Sequence, residues 1–298
     1  MNRMSIIEQK KKPLINKAVA FQLFKYTIYC LLMLDIYHFF LEDYAASTQT
    51  FAKGISANEI IEAFTATIDT IAWLVLLLLF ELETYILEDE QIKGKVKWTM
   101  NTVRILCYCF IVYSLYGFIS KFNLLHATVP FITKDVCSLI GTSFTYIKEI
   151  DQYLPLSKEI CQGFVNTPLI QIVGTDIITE QNMLTETQRL STVEVTNSIT
   201  WLLVVLVLEI EVFLQLKGAL SERKIKFSKW IKSVLYCVLF LVAGYWGIKG
   251  GFLDFRDAFL WLVAFWFIEM NIFQWSEEIT QNKANNSADS LNSDGITS

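Results

Sequence analysis

The chain has 298 residues, of which 53% are hydrophobic, 14% aromatic and only 18% charged, with a formal net charge of -5. A soluble domain of this size carries about 25% charged residues, and the mean hydropathy of +0.41 comes from clustered apolar runs. The composition therefore points to an integral, multi-pass membrane protein whose first partner is the lipid bilayer, and the lack of a basic domain or nucleic-acid motif argues against nucleic acid as a partner.

Residues 1–21 form a basic N-terminus with Arg3, Lys10, Lys11, Lys12 and Lys17. The apolar run that follows is long for the core of a cleavable signal and no small-residue cleavage site follows it, so it reads as a retained first span. Windows of about 18–25 apolar residues recur at 22–41, 68–87, 103–121, 198–216, 231–249 and 257–275, which predicts a 22–275 domain of six transmembrane helices. The first span carries Asp35 and His38 one helical turn apart in its outer half, a secondary candidate pair for proton or ion relay. The competing reading has both residues facing water near the interface. Beyond it, Ser56 and Glu59 form a capping-box pattern, from which a helix is expected to run unbroken into the second span.

Lys93, Lys95 and Lys97 follow the second span, and Lys217, Arg223, Lys224, Lys226 and Lys229 follow the fourth. By the positive-inside rule these connections, and both termini, are expected in the cytoplasm. The loop 122–197 then lies on the opposite side and is too long for a simple connection. It is expected to fold as a small helical cap, with 185–197 extending the fourth span outward. The tail 276–298 is polar and expected to be disordered. The fold class expected is thus all-α polytopic.

Aligning the spans exposes an internal repeat. Trp73, Trp201 and Trp261 are each followed eight residues later by Glu81, Glu209 and Glu269, and two further on by Glu83, Glu211 and Asn271. The alternate spans carry a basic residue followed by xxxYC, at Lys25, Arg104 and Lys232. The pattern describes three tandem parallel helical hairpins, an arrangement found among transporters. At about 1.5 Å per residue these acids and bases reach similar depth inside the membrane, where an unpaired carboxylate costs roughly 2–3 kcal/mol or more. Residues i and i+2 point about 200° apart on a helix, so Glu81 and Glu83 cannot share a partner. Either the acids pair with Lys25, Arg104 and Lys232 to fix helix packing, or the surplus acids face a path as a cation or proton site.

Of six cysteines, Cys30, Cys107, Cys109 and Cys237 lie in spans and are expected as small packing residues, whereas Cys137 and Cys161 are the pair available for a disulfide in the outer loop. No zinc-ligand constellation, Gly-rich phosphate loop, HExxH or GxSxG occurs, so no cofactor and no enzyme activity are expected, and the identity of any metal stays open. Two functions remain: transport of a cation or protons through a channel or carrier built on Glu81, Glu83, Glu209, Glu211, Glu269 and Asn271, or a non-transporting structural subunit, in a homo-oligomer or with other membrane subunits, whose acids only hold helices together.

Overall fold

The computed structural model describes residues 17–51, 54–56, 59–83, 94–133, 135–164, 167–216 and 221–266. Its helices are α1 (Lys17–Thr50), α2 (Ile60–Ala63), α3 (Thr65–Glu81), α4 (Lys95–His126), α5 (Lys158–Gly163), α6 (Gln181–Leu216), α7 (Glu222–Lys249) and a helix over residues 252–266, here α8. Four helical stretches are long and apolar enough to cross a membrane: Phe21–Thr50, Lys95–His126, Gln181–Glu211 and Arg223–Lys249. At about 1.5 Å per residue the 36 residues of α6 exceed a bilayer core of about 30 Å, and residues 185–197 are part of this one continuous helix.

The chain divides into two units. One comprises residues 1–31 and 263–298, and the other residues 32–262. In the first unit, Lys25, Ile28 and Tyr29 of α1 are buried, and Tyr26 packs edge-on against Tyr29. The N-terminal residues 1–16 and the tail 276–298, with their expected topology, lie outside the described residues.

Within the second unit α3 packs on α4, α4 on α6 and α6 on α7. The expected continuous helix from Ser56 is broken. Glu59 does reach back to the Ser56 amide at 2.9 Å and to its hydroxyl at 2.6 Å, but α2 ends after one turn at Phe64, where φ is -125° and ψ 39°. The new helix start is satisfied from elsewhere. Asp43 of α1 accepts hydrogen bonds from the Thr67 amide at 2.9 Å and hydroxyl at 2.6 Å, acting as an N-cap supplied by another helix. The break also lets α3 approach α4 closely, because a Cβ on Gly117 would fall 2.2 Å from the Thr65 hydroxyl.

The cap corrects the all-α expectation. Its centre is a five-stranded sheet in the order β1-β4-β5-β2-β3, made of β1 (Thr128–Phe131), β2 (Thr145–Glu149), β3 (Gln152–Pro155), β4 (Leu169–Ile172) and β5 (Ile177–Glu180). Only β2 and β5 run parallel; the other pairs are antiparallel. One face places Ile147, Ile172 and Ile177 against Leu125 of α4 and Met183 of α6, and the other buries Leu156, Leu169 and Ile178 beneath Phe131, Phe144 and Phe164. Alternation of inward and outward side chains along each strand produces these two apolar layers. Cys137 and Cys161 are bonded, with Cα atoms 5.1 Å apart, tying a 3-10 turn to α5 as expected. Of the four remaining cysteines only Cys107 is buried, whereas Cys30, Cys109 and Cys237 are exposed and do not pack a core.

Candidate functional site

Two groups of ionisable side chains occupy the helices of the second unit, one near the end away from the cap and one near the cap end.

In the first group the acids have interhelical partners. Arg104 of α4 donates to Glu83 at 2.5 Å, and Lys232 of α7 donates to Glu211 of α6 at 2.9 Å. Both pairs span 21 residues of sequence, the length that carries the chain out of one helix and into the next. Glu209, two residues before Glu211, turns to the preceding helix, where the Tyr108 hydroxyl of α4 donates to it at 2.6 Å. The two acids of that motif therefore serve opposite neighbours, as their 200° separation requires. Glu81 is 5% exposed; Lys25, which belongs to the first unit, is 2% exposed there. Glu269 and Asn271 lie outside the described residues.

The repeated tryptophans meet. Trp73 has its ring centroid 6.2 Å from that of Trp201 and 6.4 Å from that of Trp261, and all three rings are buried. Each is preceded four residues earlier by Asp69, Asn197 or Asp257. The indole N–H of Trp261 donates to Asp257 at 3.1 Å, and Trp73 donates to Asp69 in the same way. A residue four positions earlier on a helix lies one turn toward the cap on the same face, so the aspartates form a layer on the cap side of the tryptophans. The sequence signal for this layer is the upstream Asp/Asn-x-x-x-Trp spacing, which is separate from the glutamates downstream of each Trp.

A third carboxylate joins that layer. Asp35 of α1 is fully buried, and Arg256 of α8 donates to its Oδ1 through both Nε, at 2.9 Å, and Nη2. The expected partner, His38, is exposed and packs edge-on against Tyr37. The water-facing reading of the Asp35–His38 pair therefore fails for Asp35. Asp35 Oδ2 and Asp69 Oδ1 are buried without a hydrogen-bond partner. Asp257 lies within electrostatic reach of Asp35, Asp69 and Asp254. Buried polar atoms are almost always satisfied, and two orphaned carboxylate oxygens among apolar helices are costly if ionised.

From this layer acidic groups continue toward the cap. Asp254 lies in the first turn of α8, accepting from the Gly251 amide, and burial together with the Asp151 charge raises its pKa to about 6. Lys121 of α4 bridges Asp151 of the cap and Glu194 of α6, each at 2.7 Å. Asp151 sits in the β2–β3 turn at φ 62°, a left-handed conformation that aspartate tolerates better than most residues. Beside it, burial raises the pKa of the Tyr153 phenol. Among the described residues no three His, Cys, Asp or Glu side chains converge closely enough to hold a metal ion.

No family model matches this chain, and neither a curated protein nor a solved structure does.

Proposed function

We propose that the protein is a six-span membrane transporter or channel for protons, whose working carboxylates are Asp69 and Asp257, in a layer with Asp35, which Arg256 holds. The observation that carries this reading is the layer of aspartates in apolar helices with two buried carboxylate oxygens unpaired. Intramembrane acids without full partners mark proton and ion paths more often than they serve stability. The proton is favoured over a dehydrated metal cation because the described acids do not gather into a ligand shell. Asp254, Glu194, Asp151 and Lys121 supply an acidic approach from the cap side, and the packed Trp73, Trp201 and Trp261 form the barrier beneath the layer.

The inner acids fit a different role in this reading. Glu83, Glu209 and Glu211 each engage a neighbouring helix, which supports three like-oriented hairpins joined by repeated acid–base and acid–tyrosine contacts. The tryptophan cluster and the Asp/Asn-x-x-x-Trp spacing support the same threefold repeat. Both termini and the basic connections then face the cytoplasm, and the disulfide-bearing cap faces the oxidising side.

A second reading is favoured by the same pairs: a structural subunit in which every acid serves helix packing. Purified protein in proteoliposomes containing a pH-sensitive dye separates the two. The transport reading expects proton flux above that of protein-free vesicles, reduced at least about tenfold by Asp257→Asn. Flux equal to that of empty vesicles refutes it in favour of the structural subunit.

A further inference from the structure

The β2–β3 connection reaches out of the cap and into the helices. The register of the two strands shifts between Ile147 and Glu149, which hands the buried side from odd to even residues. Thr145 and Ile147 are buried, Glu149 is exposed, and Ile150 is buried again. Such a bulge re-aims a side chain, and here it delivers Ile150 to the helix bundle. Ile150 packs in one buried cluster with Leu190 of α6, Val242, Ala243 and Trp246 of α7, and Ala258 of α8. The next residue, Asp151, has the left-handed φ of 62° and accepts from Lys121 of α4 at 2.7 Å, while the same ammonium donates to Glu194 of α6 at 2.7 Å. The tip of one cap turn thus engages α4, α6, α7 and α8.

Two polar atoms at this seat argue against a permanent anchor. The indole N–H of Trp246 and Oε2 of Glu194 are buried with no hydrogen-bond partner among the described residues. A buried indole N–H ordinarily finds an acceptor, and both atoms gain water if the tip lifts. Left-handed backbone at a residue other than glycine is held by its surroundings and clusters at clamps and switches. Ala258, in the same buried cluster, is the residue next to Asp257, so the tip closes on the cap-side edge of the aspartate layer. Resting on the transport reading for its purpose, we propose that Ile150 and Asp151 form a plug that seals this layer from the cap side and admits water to it on lifting. Ile150 is the seal, and the bridge through Lys121 is the latch.

The test is the reaction of Ala258→Cys with a cationic, membrane-impermeant methanethiosulfonate in lipid nanodiscs, the modified peptide being identified by mass spectrometry. The introduced thiol should react slowly in the otherwise wild-type chain, and at least about tenfold faster when Ile150→Ala is added. Leu190→Ala opens a cavity in the same cluster without touching the plug, and should leave the rate within about threefold. A thiol introduced by Leu125→Cys, buried between α4 and the sheet, should stay protected in Ile150→Ala. No acceleration in Ile150→Ala, equal acceleration in Leu190→Ala, or exposure of the Leu125→Cys thiol overturns the plug, because the turn is then only a packing anchor. Should Ile150→Ala fail to accumulate, Asp151→Gly decides, since glycine keeps the left-handed backbone and removes only the latch. Faster reaction of Ala258→Cys in that variant supports the plug, and an unchanged rate overturns it. Proton flux on the same proteins should rise in Ile150→Ala, and a fall there with wild-type flux present overturns the plug. Flux absent from every protein, with the thiol exposed as expected, refutes transport and leaves the plug standing. Wild-type flux with no change in thiol reactivity refutes the plug and leaves transport.

Discussion

Replacing Lys232 by Met removes the ammonium 2.9 Å from Glu211, in a pair whose side chains are only 14% and 22% exposed. The abandoned glutamate is left as a largely desolvated carboxylate without its cation, and breaking a buried pair in this way costs about 3–5 kcal/mol. Because about a fifth of the Glu211 side chain is exposed, the loss should be roughly 2–3 kcal/mol. The Arg104–Glu83 pair is more open, at 28% and 34% exposure, and Arg104→Met should cost about half as much. Thermal unfolding in nanodiscs, followed by tryptophan fluorescence, reads these losses at about 2 °C per kcal/mol for a chain of this length. In a Glu211→Gln background Lys232→Met should cost under about 1 kcal/mol. No loss in Lys232→Met, or full additivity with Glu211→Gln, would refute the reasoning.

Three further outcomes are expected. Trp73→Ala opens a cavity between Trp201 and Trp261 and should destabilise the protein by about 3–5 kcal/mol, seen as a fall in unfolding temperature. Cys137→Ser opens a crosslink of sequence separation 24, worth about 3.5 kcal/mol to the cap on a chain-entropy account, and limited proteolysis should then cut between residues 128 and 180 while sparing the helices. Asp254→Asn removes a carboxyl whose native pKa of about 6 exceeds its reference value. The native acid is disfavoured as an anion, so the variant should gain roughly 2–3 kcal/mol of stability above pH 6, and the gain should vanish as pH falls toward 4. A gain that is independent of pH would show that burial of the charge is not its source.

Hydropathy exposed the membrane helices because apolar runs are local. The features it missed depend on partners distant in sequence. Nothing near Phe64 announces the break between α2 and α3, since the cap that stabilises the new start is Asp43, 24 residues before Thr67. Asp35 was paired with His38 by helical spacing, whereas its partner Arg256 is 221 residues distant. The cap was misread for another reason. The segment from Ile140 to Leu154 alternates polar and apolar residues, the period of a strand, and β2 and most of β3 lie there, so the strands were locally written although their order in the sheet was not. The Arg104–Glu83 and Lys232–Glu211 pairs were legible because acid and base recur at one spacing in the sequence. Asp69, Asn197 and Asp257 stand at one spacing before Trp73, Trp201 and Trp261, but two acids and an amide make a weaker pattern than the glutamates that follow.

The central claim is a division of labour: Asp69 and Asp257 exchange the proton, while Glu83, Glu209 and Glu211 hold helices together. Proton flux in proteoliposomes, measured side by side for the single Asn and Gln variants of these five residues, tests it directly. The account predicts flux reduced at least about tenfold in Asp69→Asn and Asp257→Asn, and retained within about threefold in the three glutamine variants. Loss of flux in the glutamine variants with retention in the asparagine variants would contradict it and return the path to the glutamates.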